Sequence, residues 1–163
     1  GSFCSIAKNS ILKNNVKIGD LSCLGNEGMN FQTHKNKILH FEHLSNLIIY
    51  DNVWIGTNTN INRGVLTPTK IMKNTCIGSK CEIGHNVKIS ENCTINSGSV
   101  IGGSSTIGKR TKIGCNAFVK EGVTISQKSY IGAGVSVMRD IKVSQQVVMP
   151  QESRQIRNYF DKY

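Results

Sequence analysis

Aliphatic residues recur at every sixth position over nearly half of the chain. An α-helix has a period of 3.6 residues and an ordinary strand a period of 2, and neither produces a strict period of six. A period of six is typical of the hexapeptide parallel β-helix, in which each short strand forms one side of a triangular coil. The sequence therefore predicts an all-β parallel β-helix. The members of the longest series, which Met149 extends by one step, are Ile71, Ile77, Ile83, Ile89, Ile95, Ile101, Ile107, Ile113, Val119, Ile125, Ile131, Val137 and Val143.

A second position of the repeat carries small or β-branched residues, such as Thr75, Cys81 and Ser99, two residues before each aliphatic. Residues two apart on a strand point to the same face, so both positions are predicted to face inward. Glycine often follows the aliphatic, and we expect it at the tight corner between two sides because it tolerates unusual backbone angles. Three repeats close one coil, so residues 18 apart are predicted to stack.

The same repeat occurs earlier in two other registers, which predicts about six coils in all. Residues 25–46 separate these registers and are predicted to form a long external loop, and Gly64–Pro68 is predicted to be a short bulge. Long loops on a rigid scaffold are often functional, although a tolerated insertion is the alternative. The first register contains Ile6, Leu12, Ile18 and Leu24, and the second contains Ile49, Ile55 and Ile61.

The chain is predicted to form one domain. Residues 1–150 are assigned to the β-helix with its insertion at 25–46, and residues 151–163 to a short C-terminal helix that caps the last coil. Such a cap would cover an open β edge, which otherwise invites aggregation. The chain begins Gly1-Ser2 without methionine, as a cleaved affinity tag leaves it, so an additional N-terminal domain upstream stays open.

Composition narrows the possible classes of function. No run of 18 apolar residues and no signal peptide are visible. The six cysteines follow the repeat and not a zinc-binding spacing, which predicts structural thiols in a reducing cytoplasm. The net charge of +10 comes without a nucleic-acid motif. It favours an anionic small ligand or an acidic protein such as acyl carrier protein, with a merely soluble surface as the alternative.

One histidine, His85, lies within the regular coils, and it is predicted to point outward. An imidazole at such a position is a candidate general base, because its ordinary pKa is close to neutral pH. The 18-residue register places Gly103 on the next coil, where its N–H group could stabilise an oxyanion. After the bulge is counted, Arg63 falls on the preceding coil. Arg63, His85 and Gly103 should therefore form a ladder along one edge, with Asn86 beside it.

Three segments resemble, in the same order, the UDP-3-O-acylglucosamine N-acyltransferases of lipid A biosynthesis. Residues 55–64 (IGTNTNINRG) are similar to the family's IGxNTxIDRG, residues 83–87 (IGHNV) to its IAHNV, and residues 103–108 (GSSTIG) to its GSTTIG. The resemblance implies a left-handed β-helix in which His85 is the general base and the Gly103 N–H binds the oxyanion.

A fourth segment, residues 27–31 (EGMNF), resembles the family's DGFGY turn. It implies that Gly28 and Phe31 bind substrate or donor, together with Arg63 and Asn86. The chain departs from the family at Asn62, where the family has aspartate. A second departure is Gly122, where the family has another histidine. The family's uridine-binding N-terminal domain is not part of this sequence, and residues 131–141 resemble the final coil of sugar acetyltransferases.

These observations favour a homotrimeric acyltransferase that moves an acyl group from acyl carrier protein or coenzyme A to the amino group of a sugar. A nucleotide sugar in bacterial surface polysaccharide or lipopolysaccharide synthesis is the expected acceptor. No metal is expected. The alternatives are an acetyl-CoA-dependent sugar acetyltransferase, a γ-class carbonic anhydrase and a non-catalytic structural β-helix. The carbonic anhydrase would need three zinc-binding histidines from neighbouring coils, whereas one is found. The sugar and the acyl length stay open.

Overall fold

The computed structural model describes residues 1–142 and 146–147. These residues form a left-handed parallel β-helix of about seven turns, which agrees with the predicted fold and slightly exceeds the expected number of coils. Three parallel sheets form the three sides of the prism. Within the described residues no helix has the length and apolarity needed to cross a membrane.

Each sheet is a stack of short strands, one from each coil. The first sheet contains Ser5–Ile6, Cys23–Asn26, Asn60–Asn62, Glu82–Ile83, Val100–Ile101, Phe118–Val119 and Ser136–Val137. The second contains Ser10–Leu12, Leu47–Ile49, Thr69–Ile71, Lys88–Ile89, Thr106–Ile107 and Thr124–Ile125. The third contains Lys17–Ile18, Trp54–Ile55, Cys76–Ile77, Thr94–Ile95, Lys112–Ile113, Tyr130–Ile131 and Gln146–Val147.

The register of the regular coils is the predicted one. Ile95 pairs with Ile77 on one side and with Ile113 on the other, each 18 residues away. All three side chains are fully buried, and the core is a continuous column of such aliphatic residues. Stacking identical shapes at each level lets a narrow interior reach close packing without large aromatic residues.

The small inward position is a hydrogen-bonding position as well as a packing position. Its hydroxyl or thiol donates to a backbone carbonyl fifteen residues further along, over 2.8 to 3.2 Å, so these buried polar groups are satisfied. Burial raises the pKa of the Cys81 and Cys93 thiols, which keeps them protonated and able to donate. All six cysteines are free, as predicted for structural thiols. The donors with this geometry include Cys81, Cys93, Ser99, Ser105 and Thr111.

The predicted reason for the recurring glycines needs correction. The left-handed backbone angle occurs two residues after them, mostly on residues other than glycine, as at Asn86 (φ 60°), Ser104 (φ 60°) and Asn116 (φ 53°). Asparagine tolerates this conformation better than most residues. Glycine is instead needed for close approach between coils. A Cβ atom on Gly84 would lie 2.6 Å from the backbone nitrogen of Gly103.

The interruption is an external loop, as predicted, and it contains an antiparallel hairpin. It begins after Asn26, because Gly25 and Asn26 still belong to the strand Cys23–Asn26. The strands Phe31–His34 and Lys37–His40 pair with each other, and both lie exposed outside the coil. The chain re-enters the helix in register, because Leu47–Ile49 pairs with Ser10–Leu12 below and with Thr69–Ile71 above. The early series and the later ones therefore belong to one continuous stack.

Several predictions fall outside the described residues. These are the last positions of the sixfold series, Val143 and Met149, and the C-terminal helix at 151–163. The last described strand carries Val147, which pairs with Ile131.

The register yields a stability prediction. Replacing Ile95 with aspartate would bury a carboxylate that has no partner, which should cost on the order of several kcal/mol, a large share of a domain's stability. The matched control is Asn92→Asp, because Asn92 lies at an exposed corner where its side-chain oxygen accepts a hydrogen bond from the amide of Asn74, at 3.4 Å. Thermal melting should show a large loss for the first variant and little change for the second. Equal melting temperatures would contradict the register.

Candidate active site

The ladder expected from the sequence is present on one edge of the prism. The strands that precede Arg63, His85 and Gly103 are paired in consecutive coils, so the three residues follow one another along the edge between the first and second sheets. The imidazole of His85 packs directly over Gly103. A Cβ atom at Gly103 would lie 2.8 Å from both Cε1 and Nε2 of that ring. Glycine at this position therefore makes room for the histidine.

The side chain of Asn86 fixes the proton position of His85. Its amide nitrogen donates to the carbonyl and the hydroxyl of Thr67, over 2.7 and 2.8 Å, and its oxygen accepts the N–H of Val65. The same oxygen lies 2.8 Å from Nδ1 of His85. Because this oxygen can only accept, Nδ1 carries the proton and Nε2 presents a lone pair, which is the form a general base requires.

The bulge at 64–68 therefore has a definite role in the site. Val65 and Thr67 both lie in it, and they orient Asn86, which in turn orients His85. The side chain of Asn86 thus joins its coil to the bulge through hydrogen bonds to Val65 and Thr67. The bulge orients Asn86 and Asn86 orients His85, which is the arrangement expected where a third group holds the general base in place.

Gly103 presents a backbone N–H at the same point. This N–H makes no hydrogen bond to any residue in the described ranges, whereas the next amide, of Ser104, donates to the carbonyl of His85 over 2.7 Å. An unbonded amide donor on the residue that packs against Cε1 and Nε2 of His85 is suited to stabilise an oxyanion formed next to the base.

Arg63 lies in the ladder, but its guanidinium is turned into the protein. It is only 8% exposed. Its Nε donates to the carbonyl of His43 over 2.8 Å, and its terminal nitrogens contact the carbonyl of Gly25 and the carboxylate of Glu27. These bonds fasten the start and the end of the insertion to the coil. Binding of substrate or donor phosphates by Arg63 stays a prediction.

The insertion contributes a second histidine that sequence reasoning did not select. His43 is 1% exposed, and its ring meets the ring of His85 edge to face, with 5.3 Å between centroids. Its Nδ1 lies 3.1 Å from the carbonyl of Arg63 and 3.4 Å from the N–H of Gly28. Burial lowers the pKa of His43, and nearby His85 acts in the same direction, while the carbonyl contact opposes them.

Gly28 and Phe31, both assigned to binding by the sequence, lie in different surroundings. Gly28 packs into the site, since a Cβ atom there would lie 2.8 Å from Nδ2 of Asn62 and 3.3 Å from Cε1 of His43. Phe31 lies on the hairpin, about half exposed, with its ring 5.3 Å from that of His40. A direct role of either residue in binding stays a prediction.

A polar cluster continues from Gly28 along the first sheet, and the sixfold repeat does not predict it. One oxygen of Glu82 accepts hydrogen bonds from the side-chain amides of Asn60 and Asn62, over 2.7 and 3.1 Å. Burial raises the pKa of the Glu82 carboxyl, and the two amide donors partly oppose this. The donor at position 62 is possible because this chain has asparagine there. An aspartate would place a second carboxylate beside Glu82.

Two histidines and no third metal-binding residue meet at this edge. Throughout residues 1–142 and 146–147, no group of three histidine, cysteine, aspartate or glutamate side chains is spaced to hold a metal ion. The chemistry these residues can perform themselves is proton transfer at Nε2 of His85 beside the hydrogen-bond donor of Gly103.

Comparison with protein families identifies a match over most of the coil region. Residues 49–159 match the family model of the GMPPB C-terminal domain. The match begins within the strand that follows the insertion, so it includes the bulge, the ladder and all later coils.

Two curated relatives are UDP-3-O-acylglucosamine N-acyltransferases. The protein from Agrobacterium fabrum is 37% identical over 95 residues, which are 58% of this chain and 27% of the relative. The protein from Rhizobium johnstonii is 35% identical over 107 residues, which are 63% of this chain and 30% of the relative. The chain thus spans less than a third of the length of these relatives.

Solved structures share the fold at lower identity. The UDP-N-acetylglucosamine acyltransferase of Francisella novicida superposes with a TM-score of 0.75 at 18% identity, covering 99% of this chain and 71% of the other. The UDP-N-acetylglucosamine O-acyltransferase of Moraxella catarrhalis gives a TM-score of 0.69 at 20% identity, covering 84% and 59%. At this identity the likeness establishes the β-helix alone.

The raised pKa of Glu82 predicts a pH-dependent effect of removing its charge. Because the pKa in the folded state lies above that of the unfolded chain, ionised Glu82 opposes folding. This cost is absent below the unfolded pKa and grows as pH rises through the folded pKa. Glu82→Gln keeps an acceptor oxygen without the charge. Its melting temperature relative to the unmodified protein should therefore rise from about pH 4 to about pH 7.

The control for this measurement is Glu121→Gln, which removes a glutamate at an exposed corner. Its difference from the unmodified protein should change less over the same pH range. A difference for Glu82→Gln that is constant or falls with pH would contradict the burial of an ionisable carboxyl in this cluster.

Proposed function

This chain belongs to the family of the GMPPB C-terminal domain, and on that premise we propose that it is an acyltransferase that acts on an amino sugar. The acyl group would come from a thioester, and the acceptor would be the amino group of a sugar, most simply a nucleotide sugar. The names of the curated relatives support this substrate class. The pathway would be the synthesis of lipid A or a related surface polysaccharide.

The observation that carries the proposal is the orientation of His85. Its Nδ1–H is held by Asn86, so Nε2 is the free basic nitrogen, and Gly103, whose N–H is unbonded among the described residues, packs against the same edge of the ring. Nε2 would take a proton from the attacking amine as the nitrogen forms a bond to the thioester carbonyl. The Gly103 N–H would stabilise the negative charge on the carbonyl oxygen. The imidazolium would then return its proton to the departing thiolate.

The donor is an acyl thioester of acyl carrier protein or of coenzyme A. The net charge of +10 supports a donor that carries phosphates or is an acidic protein. The resemblance of the last coil to sugar acetyltransferases supports acetyl-CoA as the rival donor. Turnover with acyl carrier protein and with coenzyme A thioesters of matched chain length would separate these two forms of the proposal.

We place this activity in the cytoplasm. The six free cysteines support a reducing compartment, because two of them serve as buried hydrogen-bond donors and would lose that role on oxidation. The proposed thioester donors, acyl carrier protein and coenzyme A, are soluble, and so is the proposed acceptor, a nucleotide sugar. All three are consistent with the same location.

Removal of the base tests the catalytic proposal. His85→Ala should lower kcat by about 10²–10⁴, the usual contribution of a general base, and leave the fold intact because the partly buried ring lies outside the hydrophobic core. His34→Ala, at the exposed hairpin, is the control and should keep normal turnover. Turnover would be measured with an amino sugar and an acyl thioester. A folded His85→Ala protein with near-normal kcat would exclude the mechanism, and no turnover by the unmodified protein with any thioester would favour a structural role.

Assembly is the second test, since we propose a homotrimer. Large apolar side chains lie exposed on the flat sides of the prism, among them Trp54 (57%), Tyr130 (45%) and Phe118 (38%). Packing three prisms around a threefold axis would bury such surface and form a groove beside each ladder. Sedimentation at about micromolar concentration should give the mass of three chains. A monomer under these conditions would contradict both the trimer and the groove.

A further inference from the structure

We propose that His43 is a positioning residue that holds the imidazole of His85 in its working orientation through direct ring contact. The inference rests on the proposed function, in which His85 is the base. It assigns a purpose to a residue of the insertion that neither the sixfold repeat nor the ladder explains.

The ring of His85 is bounded on three sides. Asn86 holds Nδ1 by a hydrogen bond of 2.8 Å. Gly103 lies under Cε1 and Nε2, too close to tolerate a Cβ atom. The ring of His43 meets it at 80°, with centroids 5.3 Å apart, which is within the usual range for an edge-to-face pair. One hydrogen bond leaves a side chain free to rotate about the bonded atom, so the ring contact supplies the missing restraint.

His43 can restrain the ring of His85 because its own position is fixed by several contacts. Its side chain is buried, and its Nδ1 lies 3.1 Å from the carbonyl of Arg63, to which it donates. Its own carbonyl accepts a bond from Nε of Arg63, whose guanidinium also pairs with Glu27. The insertion is therefore fastened to the coil at the point where it touches His85.

One of the two ring nitrogens of His43 has no hydrogen-bond partner within the described ranges, and this suggests that the residue is present for its ring. The shorter contact of Nδ1 is to a carbonyl, so we assign the proton to Nδ1, which makes Nε2 an acceptor. That Nε2 is buried and has no hydrogen-bond partner among the described residues. An unsatisfied buried acceptor opposes folding. Its retention beside His85 is explained if a flat aromatic ring is needed at this position.

A neutral ring also suits the charge that develops on its neighbour. In the proposed reaction His85 becomes an imidazolium, and a neutral ring at position 43 adds no charge that would repel it. A second cation at 43 would instead repel it. The charged groups that face His43 are Arg63, Glu27 and His85 itself, and the first two are already paired with each other.

Three substitutions at one position separate the ring contact from the polar contacts. His43→Phe keeps a flat ring and loses both nitrogens. His43→Gln keeps a polar atom at similar reach and loses the ring, and His43→Ala loses both. His34→Ala is the matched control, since it removes a histidine of the same insertion that lies exposed on the hairpin. Circular dichroism and sedimentation establish that each variant is folded and assembled.

The readout is the tautomer of His85, observed by NMR of protein labelled with ¹⁵N in its histidines, at about pH 8, above the ordinary pKa of histidine. In the unmodified protein and in His43→Phe, His85 should give the signals of an imidazole protonated at Nδ1. In His43→Gln and His43→Ala these signals should move toward the average of the two tautomers. We expect kcat to fall about tenfold or more with KM nearly unchanged, as for a misplaced catalytic group.

The proposal is overturned if His85 keeps its signals in a folded alanine or glutamine variant, whatever the turnover. If the alanine variant does not fold, the glutamine variant decides. This outcome is distinct from failure of the proposed function. In that case His85→Ala would retain turnover while the NMR signals still reported whether His43 orients the ring.

Discussion

The parallel hydrogen-bond ladder between coils is the constraint on which the rest of this molecule depends. Each N–H and C=O of a strand bonds to the coil above or below, which fixes neighbouring backbones about 4.8 Å apart. That spacing leaves no room for a side chain at positions such as Gly84, where the next coil passes. It also places a residue of one coil directly against its counterpart on the next, as with His85 and Gly103. The site geometry is thus inherited from the backbone.

The same constraint explains how much the sequence could predict. A periodic pattern predicts the register, the buried column around Ile95 and the ladder of Arg63, His85 and Gly103. Such a pattern can be recognised from short stretches of the sequence. The pairing of Arg63 with Glu27 and the contact of His43 with His85 depend on the path of an aperiodic insertion. No spacing in the chain encodes that path. The corner glycines were misread for a related reason, because spacing does not distinguish a strained angle from a close approach.

Two positions near the site are linked by charge. Asn62 donates its amide to Glu82, a carboxyl whose pKa burial already raises. The family that the sequence resembles has aspartate at the position of Asn62, and that residue would meet Glu82 as a second acid. The two residues therefore form a compatible pair in this chain, and a change at one alters what the other can be. This is a physical reason for the departure observed in the sequence.

The return of the chain to the same stack after the hairpin has a wider consequence. A coil forms hydrogen bonds only with its two neighbouring coils. The stability of the prism therefore does not depend on the length of chain between Leu24 and Leu47, provided that the strand after the insertion pairs in the correct register. The insertion can lengthen, shorten or be exchanged in the course of evolution while the scaffold stays unchanged. The insertion and its support are thereby separated, and the anchoring of the insertion at Arg63 marks the boundary between the part of the chain free to diverge and the part that is not.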